Sequence, residues 1–416
     1  RPDRTNKPTS LTTKTLRRDN IRLKGPVAYR DAFVVNSNEG FFLVDPIRNF
    51  GYKHVLTMND LLENNLIKAG IFITPNFRNS DIFAEYHYLP RRLDYSVRLD
   101  RRSIFLDRDG FDIQKYRFNQ IMATVAYPFS EAMRVSVSPF YTLTRLVPSG
   151  LNATVSERTS DFGGAKAEFV FDNTVSTGMN MLEGTRLKVK FQHYQGLRSA
   201  AESFNRLNVD VRNYLKIHRD LILATRLSYG RSGGRAPKFD LLGGMDNWLF
   251  NTQEQRNGVE GNPLNTNLID DNRDLFFTNF VTPMRGFNYN KLSGNSHLLL
   301  NAELRLPLVR YLYRGPITSN FLRNFQLVAF TDVGTAWRGD QGPFSRQNSL
   351  NTEIVGGNGS PFSATVTNFK NPYLIGYGAG VRTLFLGYFT KFDVAWGMED
   401  RTVRPPAFYL TLGADF

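Results

Sequence analysis

The chain contains no cysteine and no apolar run of the length that a membrane helix requires. Without cysteine, disulfide bonds and thiolate metal sites are excluded, a composition common among proteins exported to an oxidising compartment. A transmembrane helix needs about 20 consecutive apolar residues. Here apolar and polar residues are interleaved, and the mean hydropathy is -0.34. A helical membrane protein is therefore excluded.

Sequence motifs for catalysis and metal binding are also missing. The five histidines stand far apart in the sequence, without the His-x-x-x-His spacing of a zinc site. No Gly-x-Ser-x-Gly elbow, Walker loop or dinucleotide fingerprint stands out. We therefore expect no enzyme activity, no metal and no cofactor. The best candidate for a hydrolytic site would be Asp270-Asp271, for which a solvated loop is the favoured interpretation.

The formal net charge of +14 raises nucleic acid as a partner. The basic residues, however, are scattered along the chain rather than gathered on one helix or arm. No helix-turn-helix, zinc finger or RNP-like motif accompanies them. We therefore expect no nucleic-acid partner.

The sequence does contain alternation with a period of two. Between Ser296 and Leu308 one parity is apolar and the other mostly polar, with Leu298, Leu300, Ala302, Leu304, Leu306 and Leu308 against His297, Leu299, Asn301, Glu303, Arg305 and Pro307. In the last segment the apolar parity is Phe408, Leu410, Leu412, Ala414 and Phe416. Successive side chains of a β-strand point to opposite faces, so this pattern predicts strands with one apolar face.

Segment length separates a soluble sandwich from a membrane barrel, since both accept a polar second face. Many segments run to about 9–13 residues, nearer the 9–11 of a tilted membrane strand than the 5–6 of a soluble one. The sequence therefore predicts an all-β fold, a transmembrane antiparallel β-barrel of about 16 strands. The segments are 39–45, 51–60, 66–75, 80–89, 93–107, 113–128, 132–146, 163–173, 184–195, 203–215, 219–230, 295–309, 323–338, 371–385, 388–398 and 406–416.

Connection lengths predict an orientation. An even strand number suits an outer-membrane barrel of a Gram-negative bacterium, in which both termini lie in the periplasm. Short connections then fall inside and long ones, such as 339–370 and 231–294, fall outside, with 310–322 as an exception. Residues 1–38 are polar and aperiodic, and we interpret them as a periplasmic tether before a barrel of residues 39–416. Because the chain opens on polar residues without a signal peptide, we expect more chain to precede it.

The longest loop, 231–294, contains Met284-Arg285-Gly286-Phe287. The next two strands carry Glu303, and then Asp332 and Gly334, on the lumenal parity. Together with the glycine-rich strand 376–380 and the terminal aromatic residue, this order resembles the BamA/TamA superfamily of outer-membrane barrels, the bacterial surface antigens. The resemblance covers about residues 39–416. It implies that the loop folds into the lumen and that Arg285 docks on Glu303 and Asp332, while Gly334 leaves room for the loop backbone.

The resemblance also implies a function, the insertion or translocation of polypeptides at the outer membrane. The first and last strands would form a lateral seam that templates a client strand, and Phe408, Leu410, Leu412, Ala414 and Phe416 would form both that seam and an insertion signal. The implied partners are outer-membrane lipid and lipopolysaccharide, client outer-membrane polypeptides and accessory lipoproteins. Two features depart from the superfamily pattern: Gly243-Gly244 lies well upstream of Arg285, and no POTRA domain is visible. The client therefore stays open.

Two other functions stay open. The lumenal parity carries an excess of basic residues, which would suit a substrate-selective outer-membrane channel. An ion-pair network that holds the long loop is the favoured interpretation of the same residues. A barrel-borne hydrolase is the third candidate.

Overall fold

The computed structural model describes residues 32–108, 111–148, 157–254, 275–313, 315–356, 363–413 and 415–416. Most of these residues lie in β-strands. The strands are β1 (Val34–Asp45), β2 (Asn49–Asn59), β3 (Asn65–Ile73), β4 (Ser80–Tyr88), β5 (Asp94–Arg108), β6 (Phe111–Ser130), β7 (Met133–Pro148), β8 (Arg158–Asp172), β9 (Val175–Gly178), β10 (Met181–Gly196), β11 (Phe204–His218), β12 (Leu221–Gly234), β13 (Asp240–Leu242), β14 (Asn279–Val281), β15 (Leu292–Gly294), β16 (Ser296–Leu306), β17 (Gln326–Trp337), β18 (Leu350–Gly356), β19 (Ser363–Phe369), β20 (Tyr373–Phe385), β21 (Tyr388–Glu399), β22 (Thr402–Val403) and β23 (Ala407–Leu412). The helices are α1 (Leu308–Leu312), α2 (Asn320–Arg323) and α3 (Arg346–Ser349), and none of the described helices is long and apolar enough to cross a membrane.

The main sheet of the described residues has 18 strands. Two of them, β9 and β22, are short additions within connections. The other sixteen form a meander in which each strand pairs antiparallel with the next. Each predicted segment coincides with one of these strands, so the all-β antiparallel barrel of about 16 strands is confirmed. Strand β1 starts at Val34 and so takes in the end of the predicted tether, of which residues 1–31 lie outside the described part.

The predicted alternation is visible in the exposure of the strands. On β16, Leu300 is 47% and Leu304 38% exposed, whereas Glu303 and Arg305 are buried. Exposed apolar side chains recur on β5, where Leu99 is 52% exposed, and on most other strands of the sheet. A soluble monomer rarely exposes so continuous an apolar surface, whereas the outer face of a membrane barrel is apolar. The sheet therefore has a lipid-facing outer side and a charged lumen.

The two ends of the barrel differ in their connections. The end that holds both described chain termini has tight turns at 131–132, 219–220 and 386–387. The opposite end has the long connections 235–295 and 338–372, the second containing α3 and the β18–β19 hairpin. The predicted exception is also present, since 307–325 lies at the terminal end and contains α1 and α2.

The long loop folds back into the lumen, as predicted. Within it, β13 pairs parallel with β14 and antiparallel with β15, forming a small three-stranded sheet. The fully buried Leu242 and Met284 of this loop pack with Leu299 and Leu374 of the barrel wall. The barrel's core therefore lies between the loop and the inner face of the wall.

Candidate functional site

The loop arginine is buried against two carboxylates of the wall. Arg285 Nε and Nη2 donate to the two oxygens of Asp332 at 2.7 and 2.8 Å, and the Arg285 backbone N–H donates to the same carboxylate at 3.1 Å. Arg285 Nη1 donates to Glu303 at 2.7 Å. The guanidinium carbon also lies 3.5 Å from the ring centroid of Phe330. All three charged side chains are at most 1% exposed, so each depends on the others for solvation.

The charges continue along the wall beyond this group. Glu303 also accepts from Arg305 Nε and Nη2, at 3.0 and 2.8 Å. Asp393 lies 4.0 Å from Arg285 Nη1 and accepts from Arg382 at 2.6 and 3.1 Å. Strands β16, β17, β20 and β21 are therefore joined to the loop by one alternating chain of charges.

The chain's final residues close this network. Asp415 accepts from Arg382 Nε at 2.8 Å and from Asn180 Nδ2 at 2.9 Å, and lies 3.2 Å from Lys391 Nζ. Burial alone would raise the pKa of the Asp415 carboxyl, but the positive charges of Arg382, Lys391 and Arg305 outweigh burial and hold this pKa well below its usual value. The last residues are thus anchored in the lumen.

Glycines let the loop backbone approach the wall. A Cβ atom on Gly376 would overlap the carbonyl oxygen of Arg285, and one on Gly397 would lie 2.5 Å from the carbonyl oxygen of Gly286. Gly286 itself has φ +89°, a conformation that favours glycine. The expectation for Gly334 needs correction, because its missing Cβ faces the side chains of Leu242 and Met284 rather than loop backbone.

The two outer residues of the tetrapeptide Met284-Arg285-Gly286-Phe287 are apolar anchors. Met284 and Phe287 are at most 1% exposed and belong to the cluster around Leu242. Between them, Gly286 N–H donates to the Tyr409 hydroxyl at 2.9 Å, and that hydroxyl donates to the Phe287 carbonyl at 2.8 Å. The last strand therefore also holds the tetrapeptide.

The C-terminal row follows the predicted parity only as far as Leu412. Phe408 is 59% exposed toward the outer side, and Leu410 and Leu412 are half-buried on the same parity. The strand ends there because Gly413 has φ +102°, and Phe416 turns inward to pack with Met181, Tyr214 and Ile222. The prediction of an outward Phe416 is therefore wrong, and Ala414 lies outside the described residues.

Comparison with known proteins identifies the fold. No protein-family model and no curated protein matches the chain. The crystal structure of BamA from Haemophilus ducreyi lacking POTRA domains 1–3 matches with a TM-score of 0.56 at 9% identity, over 92% of this chain and 71% of that one. CdiB from Escherichia coli matches with a TM-score of 0.51 at 12% identity, over 90% of this chain and 61% of that one. The fold is that of the BamA barrel.

Basic residues of β11 and β12, the strands next to β16, also hold the loop of this BamA-like barrel. Arg206 Nη2 donates to the Phe277 carbonyl at 2.7 Å, and Arg226 Nη1 donates to the Thr282 carbonyl at 2.6 Å. A polar cavity of about 240 Å³ lies beside them, lined in part by Lys188 and Lys190. These contacts favour the interpretation of the lumenal bases as supports for the loop.

A buried Asp–His–Ser chain joins β13 to the wall of the BamA-like barrel. Asp240 Oδ2 lies 2.6 Å from His297 Nδ1, and His297 Nε2 lies 3.4 Å from the Ser228 hydroxyl. In a hydrolase, Ser228 would be the nucleophile, His297 the base and Asp240 the acid that orients the base. Activation of a hydroxyl, however, requires a contact of about 2.6–3.2 Å to the base. We therefore interpret the chain of contacts as an anchor for β13. The other hydrolytic candidate, Asp270-Asp271, lies outside the described residues.

Sequence reasoning missed several residues of the site. The structure brings Arg285, Glu303 and Asp332 together, but Gly397, Tyr409 and the loop residue Asn247 also contact the tetrapeptide or the last strand. Gly397 and Tyr409 lie on the lumenal parity of their strands, which is the signal that could have found them. Asn247 lies in a loop without periodicity, where parity carries no information.

Proposed function

We propose that this chain is the barrel of an outer-membrane factor that inserts or translocates polypeptides in a Gram-negative bacterium. The observation that supports this is the tetrapeptide loop docked on Glu303 and Asp332 inside a BamA-like barrel. Arg285, Glu303 and Asp332 then act as structural and gating residues, without catalysis. Both termini face the periplasm, and the partners are client outer-membrane polypeptides, lipid with lipopolysaccharide, and accessory lipoproteins.

The last strand supports a lateral route for the client. β23 has 6 residues, fewer than the roughly 9–11 that a tilted strand needs to span the hydrocarbon layer. Within the described residues no ladder joins β1 to β23. Because β23 is short, the apolar belt of the barrel is narrower at this point of the wall. As an edge strand, β23 also offers unpaired backbone N–H and C=O groups with which a client strand can pair. A client strand would therefore add at the β1–β23 seam, where the bilayer is also perturbed.

The test is insertion of a urea-denatured eight-stranded outer-membrane barrel into liposomes that contain the full-length protein. We expect the client to become resistant to protease and heat-modifiable faster than in protein-free liposomes. Joining Val44→Cys to Leu412→Cys with a short, reducible bis-methanethiosulfonate crosslinker, which spans the Asn247 amide between them, should abolish this gain, and reduction should restore it. The chain has no cysteine of its own to interfere.

Conductance separates the proposal from the channel alternative. An assembly factor whose lumen is filled by its loop should give small, flickering currents in a planar bilayer. A large, steady, anion-selective current, together with client insertion at the protein-free rate, would reject the proposal in favour of a substrate-selective channel.

A further inference from the structure

A segment of the long loop lies along the seam edge of the last strand. Gly413 N–H donates to the Phe389 carbonyl, which turns the odd-numbered backbone groups of β23 toward β21 and those of Leu410 and Leu412 toward the seam. Leu249 N–H donates to the Leu410 carbonyl at 3.0 Å, and Asn247 Nδ2 donates to the Leu412 carbonyl at 3.0 Å. The loop thus pairs with β23 as a strand would.

The same asparagine also reaches the first strand. Val44 N–H donates to Asn247 Oδ1 at 3.2 Å, so one side-chain amide joins the edges of β1 and β23. Asn247 has φ +54°, a left-handed conformation that asparagine tolerates better than most residues. A second contact follows along the loop, where Gln253 Nε2 donates to the Pro46 carbonyl at 2.7 Å.

The position of these contacts explains why the loop is needed. Val44 is one residue from the end of β1, and Leu412 is the last residue of β23. Two antiparallel strands whose C-terminal ends lie side by side extend away from each other, so β1 reaches β23 only at this point. Beyond it, residues 247–249 take the place that a continuing β1 would occupy.

An aromatic anchor holds this segment from the lumen. Trp248 is 4% exposed and faces Thr411 in an antiparallel bridge. The Trp248 ring centroid lies 4.6 Å from that of Tyr409 and 5.7 Å from that of Tyr289. Leu249, next to it, is only half-buried and Phe250 is 74% exposed. We call residues 247–249 the seam strap.

We propose that the seam strap is a built-in competitor for the client strand, which must displace it from β23. This inference rests on the proposed function. The strap uses the Leu410 and Leu412 carbonyls, the groups that an added strand would use. The outer side of this edge carries Phe408 and Leu410, so the client that fits is an amphipathic strand with apolar residues at every second position.

The first test measures strap occupancy without reference to insertion. Leu249 and Leu410 face each other across an antiparallel pair, a separation that a disulfide can span. We expect Leu249→Cys/Leu410→Cys to crosslink readily in the resting protein. Asn247→Gly keeps the left-handed backbone but removes both amide contacts, so it should slow crosslinking roughly five-fold or more. Asn49→Gly, at an exposed left-handed asparagine beside the end of β1, is the control and should leave the rate unchanged.

The second test asks whether the strap must leave. Urea-denatured client should lower the Leu249→Cys/Leu410→Cys crosslinking rate, and the oxidised pair should block client insertion until it is reduced. A lipid-facing disulfide between Leu327→Cys and Val381→Cys, paired on β17 and β20, should leave insertion intact.

The outcomes distinguish a failure of the strap proposal from a failure of the proposed function. Slow crosslinking in the resting protein, or equal crosslinking in Asn247→Gly and the parent, overturns the strap whether or not the protein inserts clients. Normal insertion with the strap locked, while the Val44→Cys/Leu412→Cys lock still blocks it, also overturns the strap but leaves the proposed function standing. If the parent protein inserts no client, the proposed function fails, and the competitor role fails with it.

Discussion

Removing Arg285 should destabilise the barrel strongly, and the structure sets the size of the effect. In Arg285→Ala, Asp332 loses the contacts from Nε and Nη2 and keeps Asn301 Nδ2 at 2.7 Å and the residue-285 backbone N–H. Glu303 keeps the hydrogen bonds that Arg305 donates to it. A single uncompensated carboxylate therefore remains in a site from which water is excluded, and breaking a buried pair in this way costs about 3–5 kcal/mol. We expect that loss in the free energy of unfolding.

The assay is a double-mutant cycle. Unfolding in detergent micelles is monitored by the difference in gel migration between folded and heated protein. Arg285→Ala combined with Asp332→Asn should cost less than the sum of the single changes by about 1–3 kcal/mol. Arg285→Lys should recover only part of the loss, because a point charge cannot reproduce a planar fork. The control cycle uses Arg198 and Asp161, an ion pair whose arginine side chain is 61% exposed, with coupling below about 1 kcal/mol. Strict additivity at Arg285 and Asp332 would refute the reasoning.

Three further predictions test other parts of the lumen. Gly376→Ala should undock the loop, measured as protease access to it, because the new Cβ would overlap the Arg285 carbonyl, whereas Gly163→Ala adds a Cβ no closer than 3.4 Å to its neighbours and should be silent. The pKa of Asp415 is depressed in the folded protein, so its contribution to stability is present above the unfolded-state pKa of about 3.9 and is lost as pH falls through the folded-state pKa. Asp415→Asn should therefore lower the unfolding midpoint equally at pH 7 and pH 5. The gap between the midpoints of variant and parent should shrink only below about pH 4. A fluorophosphonate probe should leave the protein unlabelled, and labelling that disappears in Ser228→Ala would instead favour the hydrolase.

The sequence predicted the strands well because each carries its own signal. A membrane strand must alternate over its whole length, so the period of two in Ser296–Leu308 identifies both the strand and its lumenal side. The positions of Glu303 and Asp332 on that side followed from parity alone. The loop motif around Arg285 was located by its resemblance to a superfamily motif, since the tripeptide Arg285-Gly286-Phe287 carries little information by itself.

Contacts made by loops and by the chain end could not be predicted in the same way. Asn247 touches the seam because of how the loop crosses the lumen, and no local pattern encodes that path. By parity Phe416 continues the outward row of β23, but Gly413 turns the backbone before it is reached. A glycine in a strand pattern does not specify its φ. The lumenal parity could have pointed to Gly397, but the approach of Gly286 to it depends on two segments far apart in the chain.

The loop also braces the barrel mechanically. Residues 275–285 run from Leu275, which packs with Ile104, Tyr116 and Leu146 on β5, β6 and β7, to Arg285, which is fixed on β16 and β17. In a ring of sixteen strands these attachments lie nearly opposite each other. The barrel therefore resists deformation along the line that joins these two attachments and deforms more easily in the rest of the wall. The arc outside the brace includes β23 and β1, which the loop joins through the contacts of Asn247 and which have no ladder of their own among the described residues. Deformation of the barrel is therefore directed to this part of the wall.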